Sequence, residues 1–360
     1  MTTTAPPLIR APQAALRARQ AALTGSGLVL LVAVAVWLLW NLIDAPQAFA
    51  QATVYGLANG VLYALVALGY TLVYGIIELI NFAHGDLFML GTVFSAFTLS
   101  ALGLTKANAD NATVTGWLGF VLVLVLAMIF CATINVLIEF LAYRRLRHAP
   151  KLAPLITAVG MSFILQNIGL QWSGSGTRDW NTIMTLPTAS DRAGFEIGSV
   201  TVRWMYLIDA GVAAILLVIM TFVVARTRIG KAMRATAQDQ DAARLMGINI
   251  NRIISFTFAM GGALAGAAGL LYEQTLGTTW YATGFQLGLI AFTSAVLGGI
   301  GNLPGAVLGG LLIGLIQGYN DALPHALHQD WSQSVVFIVL ILVMVFKPTG
   351  LLGKNEGEKV

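Results

Sequence analysis

The sequence predicts an all-α polytopic membrane protein with about ten transmembrane segments. Three observations predict it. The 360 residues are 57% hydrophobic and only 10% charged, with a mean hydropathy of +0.79, where a soluble domain carries about 25% charged residues. Apolar runs near the ~20 residues that cross a hydrocarbon core recur along the chain. None of them alternates with period two, which excludes a closed barrel. The single cysteine, Cys131, lies inside an apolar run, so an intrachain disulfide is excluded and a cysteine-based metal site is not expected.

Residues 1–26 carry Arg10, Arg17, Arg19 and three prolines and read as a cytoplasmic tail. Residues 27–50 hold the first apolar run, 27–43, and then Ala48-Phe49-Ala50. A basic start, an apolar core and a small-x-small site also describe a cleavable signal segment. Trp37 and Trp40 favour an extra retained helix with its end at an interface. The main membrane domain, 51–347, follows with runs at 53–76, 86–104, 117–143, 152–172, 204–225 and 253–272. Two shorter runs, 286–300 and 304–319, flank a glycine-rich break, and 331–346 is the last run before a cytoplasmic tail at 348–360.

Basic residues orient these runs. Arg144, Arg145, Arg147 and Lys151 form one cluster, Arg226 to Arg252 a second, and Lys347, Lys354 and Lys359 a third. All three are expected on the cytoplasmic side. The segment 173–203 is then external, and Trp172, Trp204, Tyr272, Trp280 and Trp331 fall near the outer interface as an aromatic belt. Parity holds if 286–319 enters and leaves from outside.

The 38 glycines are informative through their spacing. Gly56/Gly60, Gly262/Gly266 and Gly310/Gly314/Gly318 are four apart, which places small residues on one helix face for close backbone approach. The break containing Gly301, Asn302 and Pro304 is a different feature, because broken helices at membrane depth often mark a translocation path. A second polar knot holds Glu78, Asn81, His84 and Asp86. It either sits at a membrane face or lines a path, since polar groups in hydrocarbon are costly. The alternative for Asn81 is a helix cap near Ala83, for His84 a bond to a backbone carbonyl, and for Glu78 and Asp86 a solvated interface.

No catalytic constellation is present in the sequence. The histidines are scattered, no metal or other cofactor is implied, and no phosphate-cradling glycine loop occurs. A transport cycle driven by ATP would need another polypeptide to bind it. The expected contact is the cytoplasmic loop 226–252, read as one amphipathic helix over about residues 231–246 and ended by Gly247. It presents Arg234 and the run Asp241-Ala242-Ala243-Arg244.

The order acid-Ala-Ala-x-x-x-Gly in that loop resembles the coupling-loop signature of bacterial ABC importer permeases, with Asp241 where glutamate is usual. The stretches Gly69 to Gly75, Asn81 to Asp86, Leu297 to Ala306, Ser175 to Asp179 and Pro348 to Gly353 are similar to branched-chain amino-acid permeases of the LivH type. The resemblance runs from about residue 53 to the C-terminus, making 51–347 a permease domain. Residues 1–50 are a departure.

The resemblance implies a bacterial inner-membrane subunit that is not itself an enzyme. It implies pairing with a second permease subunit, two ABC ATPase subunits and a periplasmic substrate-binding protein, within membrane lipid. The implied activity is ATP-driven alternating access for branched-chain or related amino acids. Asn81, His84 and Asn302 are the expected polar lining of the solute path. The same importer class acting on urea or short amides is the alternative. An ion-coupled secondary transporter is the rival class, thinly supported by Glu139 and Glu273 near span ends.

Overall fold

The computed structural model describes residues 13–79, 81–104, 114–147, 149–150, 152–179 and 194–353. The expected external segment is therefore described only in part. Lys151, Lys354, Lys359 and residues 1–12 of the expected N-terminal tail lie outside the described residues.

The helices are α1 (Gln13–Asp44), α2 (Pro46–Ile77), α3 (Ala83–Ala101), α4 (Val114–Ile138), α5 (Leu152–Ser173), α6 (Trp204–Arg226), α7 (Arg228–Gln238), α8 (Gln240–Leu245), α9 (Ile250–Leu276), α10 (Thr283–Gly298), α11 (Leu303–Ala322) and α12 (Ser332–Phe346). Eight stretches are long and apolar enough to cross a membrane, and the shorter α10 is also apolar. With the 19-residue α3 this makes the expected polytopic all-α body. Two short antiparallel pairs complete it: β1 (Arg178–Asp179) with β4 (Thr278–Thr279), and β2 (Gly194–Ile197) with β3 (Val200–Arg203). They mark one end of the bundle, and the arginine-rich turn at Arg144–Leu146 with α7 and α8 marks the other.

The core is built on α2 and α9, whose apolar windows are 78% and 72% buried, whereas those of α1, α6 and α12 are 6%, 17% and 11% buried. A helix that is apolar all round and buried is a core helix, and one that is apolar but exposed is suited to lipid. The glycine spacing explains how α2 reaches its neighbours. Gly56 and Gly60 lie on the backbone of Gly310, Leu311, Gly314 and Leu315, so α2 and α11 touch without intervening side chains. Gly262 and Gly266 do the same against the backbone of Ala127, Met128, Cys131 and Ala132 of α4. Such seams supply packing where no hydrophobic force acts between helices in lipid.

Helix α1 begins at Gln13, inside the stretch read as a tail. Its C-terminal part is fastened to the connection between α11 and α12: Trp37 Nε1 donates to the His325 carbonyl at 2.7 Å, and His325 Nε2 lies 2.9 Å from Asp44 Oδ2. Ala48-Phe49-Ala50 sits within α2, with Phe49 stacked on Tyr319 at 4.8 Å.

The loop expected as one helix over about 231–246 is two helices. Asp239 interrupts it with extended backbone and caps α8, accepting from the N–H groups of Asp241 and Ala242 at 2.8 and 3.0 Å. An acidic N-cap satisfies otherwise orphaned donors, so the chain gains a fresh helix start at the cost of a break.

Candidate functional site

Two chain breaks face each other near the basic end. The first separates α2 from α3. Glu78 closes α2 in the left-handed region (φ 55°), its N–H donating to the Tyr74 carbonyl at 2.8 Å. A left-handed non-glycine residue is uncommon and marks a point where the surroundings override local preference. Asn81 then lies buried between Asn135 and Tyr143. The start of α3 is thus set inside the bundle.

Asn81 does not cap α3, because the N-cap position is Phe82 and makes no side-chain bond. Asn81 Oδ1 instead accepts from the Tyr143 hydroxyl at 2.9 Å, and its Nδ2 makes a long 3.5 Å contact to Asn135 Oδ1. Asn135 Nδ2 in turn donates to the Phe258 carbonyl at 2.7 Å. The amide is consumed by protein partners and faces α4 and α9.

His84 is fully buried, its ring edge-on to Tyr70 at 4.8 Å in space that only a glycine at 69 leaves. Neither ring nitrogen has a partner of normal hydrogen-bond geometry among the described residues, although the Val66 carbonyl lies beside the ring. Asp86 is also fully buried and not interfacial as expected, whereas Glu78 is exposed. Asp86 Oδ2 accepts from the Ser162 hydroxyl and from Gln166 Nε2 at 3.4 Å, tying α3 to α5. Gly85 between them lies on Gly284 and Gly288 of α10.

The second break, 299–302, is a structural turn. Gly299 (φ 104°) lies against Gly353, where a Cβ would collide. Asn302 Oδ1 caps α11 through the Gly305 N–H at 3.2 Å, and its Nδ2 donates to the Leu352 carbonyl at 2.8 Å. Carbonyls freed at the end of α10 are met by the chain after α12: Leu351 N–H reaches Leu297 and Leu352 N–H reaches Gly298, at 2.8 and 3.0 Å. Gly301 and Pro304 are exposed. Asn302, expected as polar lining, thus caps α11 and holds the chain after α12. Between the breaks Tyr70, Tyr74, Leu79, Phe292, Ala295 and Ile300 enclose a small cavity with about 10 Å³ open to the centre of a water molecule, room for at most one.

At the basic end α7 packs against α6, α9 and α2, and α8 carries its last residues out from the bundle. Ala243 and Met233 are buried in their base, while Leu245 and Met246 are 89% and 83% exposed. Asp241 and Arg244 pair at 3.5 Å on the surface, Ala242 is exposed, Arg234 donates to the Val224 carbonyl, and Gly247 (φ 80°) ends the motif. Sequence reasoning did not single out Tyr143, Asn135, Ser162 or Gln166. Asn135 carried a signal, being a lone amide in a long apolar run.

Residues 52–344 match the family described as branched-chain amino acid transport system, permease component. The high-affinity branched-chain amino acid transport system permease protein LivH of Escherichia coli K12 is 38% identical over 293 residues, 80% of this chain and 90% of that one. BraD of Pseudomonas aeruginosa, described in the same terms, is 38% identical over 288 residues, again 80% and 90%. The autoinducer 2 import system permease protein LsrC of Shigella flexneri is 25% identical over 200 residues, 54% and 56% of the two chains. No solved structure matches. With the family matched across most of its length and its motifs folded into two facing breaks and a helix pair at the basic end, the chain belongs to the permease components of branched-chain amino acid transport systems.

Proposed function

We propose that this permease admits branched-chain amino acids across the bacterial inner membrane, driven by ATP hydrolysed on partner subunits. The observation that carries the reading is the projecting α8, which holds Leu245 and Met246 out in solvent between a surface ion pair and Gly247. Two large apolar side chains on a short capped helix are a small patch made to enter a groove. The partner is an ABC ATPase, two copies serving this chain and a second permease. The basic end is cytoplasmic, as are the chain termini, and the β-paired end receives the periplasmic binding protein.

The α2–α3 break lies along the solute path. His84 and Asp86 support this reading, since groups so costly at this depth are retained in an otherwise apolar interior. The nearly closed cavity between the breaks fits a resting state, with selection made by the binding protein. Leucine differs from an isostere by only about 1–3 kcal/mol in an apolar pocket. The extra helix α1 stays with the mature chain, supported by its ties to His325 and by the helical setting of Ala48 to Ala50.

The test is uptake of leucine, isoleucine, valine, urea and short amides in a strain lacking the gene, with and without depletion of ATP. Loss of ATP-dependent uptake of the three branched-chain amino acids is expected. Loss of urea or amide uptake alone would reassign the solute. One observation favours ion coupling as a second reading: Asp86 and Asp209 are buried carboxylates bonded to neutral partners, Ser162 and Thr275. They tie α3 to α5 and α6 to α9 separately, with no bond linking the two pairs among the described residues. Uptake driven by a proton or sodium gradient without ATP would establish that class instead.

A further inference from the structure

The end of α4 is a π turn, Glu139–Tyr143. π turns are rare, and they occur often at functional sites. This one is anchored at its two ends to different elements. Glu139, fully buried, accepts from Arg144 Nη2 at 3.0 Å, from the Ser255 hydroxyl at 2.7 Å and from Arg147. Arg147 Nη1 then donates to Asn251 Oδ1 at 2.6 Å. Ser255 and Asn251 stand on the first two turns of α9, directly after the α7–α8 pair.

The network also feels α8 itself. Burial draws the Arg147 guanidinium below its usual range, Glu139 pulls the other way, and the nearby cations Arg144 and Arg244 add to the lowering. At the other end of the turn, Tyr143 donates to Asn81 in the α2–α3 break, and the Asn81 carbonyl receives the His84 N–H at 3.0 Å. Glu139 and Tyr143 belong to one five-residue turn, so a shift that moves one carries the other.

We propose that the Glu139–Tyr143 π turn is a mechanical relay: displacement of the α7–α8 pair, passed through Asn251, Arg147 and Glu139, repositions Asn81 and with it the start of α3. Glu139 and Tyr143 are positioning residues. The proposal rests on the reading of α7–α8 as the ATPase contact. A purely structural ion pair needs only the Glu139 side of this arrangement. The Tyr143–Asn81 bond is the part that a relay requires and a static clamp does not.

The test uses the whole importer, isolated from its host through a tag on this chain and placed in liposomes with ATP inside and leucine-loaded binding protein outside. ATP hydrolysis and leucine uptake are measured together. Tyr143→Phe keeps the ring against Phe258 and removes only the donor to Asn81. The expected result is retained ATP hydrolysis with uptake per ATP lowered about fivefold or more, the usual scale of a lost coupling. The double variant with Asn81→Ala should be no worse than the poorer single variant. If Tyr143→Phe does not assemble, Asn251→Ala, which removes the acceptor for Arg147, is read by the same ratio and the same expectation. An unchanged ratio in the assembled variant, or proportional loss of both activities, overturns the relay while leaving the importer reading intact. A wild-type assembly that hydrolyses ATP without moving any solute overturns both.

Discussion

Gly314 rests on Gly60 so closely that a Cβ at 314 would meet the Gly60 backbone. The α2–α11 seam is thus set at backbone contact, and its tolerance for added atoms is nil along that line. Gly160 on α5 is the natural contrast, with open space where its Cβ would go. Gly314→Ala should destabilise the protein by about 1–3 kcal/mol, the cost of overpacking. Gly160→Ala should be neutral or stabilise by up to about 1 kcal/mol through helix propensity. Thermal unfolding in detergent checks both, and equal effects would contradict the seam.

The Asp86 carboxylate offers a comparison between charge and hydrogen bonding. Ser162→Ala removes a donor from a buried carboxylate and should cost about 2–3 kcal/mol. Asp86→Asn keeps the size and relieves the charge, so its cost should be smaller. Tm values of the two variants test the order. If Asp86→Asn keeps stability but abolishes uptake, the charge itself serves transport.

The tip of α8 should matter to assembly and little to folding. Leu245→Ser and Met246→Ser remove exposed apolar groups that contribute little to the bundle's own packing. Together they should lower co-purification of the ATPase about tenfold, equivalent to about 1.4 kcal/mol. The Tm of the isolated permease should move by no more than a degree or two, about 0.5 kcal/mol. Full retention of the ATPase would remove α8 as the contact.

His325 ties α1 to the α11–α12 connection through a surface contact with Asp44 and ring contact with Trp40. Exposed pairs contribute about 0–1 kcal/mol. His325→Ala should therefore leave Tm nearly unchanged, and α1 should stay attached because Trp37 bonds the backbone carbonyl at 325. N-terminal sequencing of the membrane-purified protein should find residues before Ala48. A start at Gln51 would show cleavage.

Much of the body was legible in the sequence because lipid leaves few options. Apolar length gave the spans, and four-residue glycine spacing marked the helix faces that close against a neighbour, though not which neighbour each one meets. The split at Asp239 was missed because a run of helix formers hides a cap that acts only once the chain turns. Asp86 looked solvated because its neighbour in sequence is a polar knot, while its actual partners, Ser162 and Gln166, are some 76 and 80 residues away. The latch from Asn302 was not foreseen, because nothing local announces that Leu352, 50 residues later, will take its amide. Long-range polar pairing is set by packing and leaves no periodic trace.

That last pairing bears on how the protein is made. The carbonyls of Leu297 and Gly298 take donors from Leu351 and Leu352, so the hairpin of α10 and α11 emerges from the ribosome with that tip open. It stays open until the final helix has been inserted and the chain folds back beneath it. A translation product halted after α12 but before Leu351 would carry every span and still leave the Leu297 and Gly298 carbonyls without these donors.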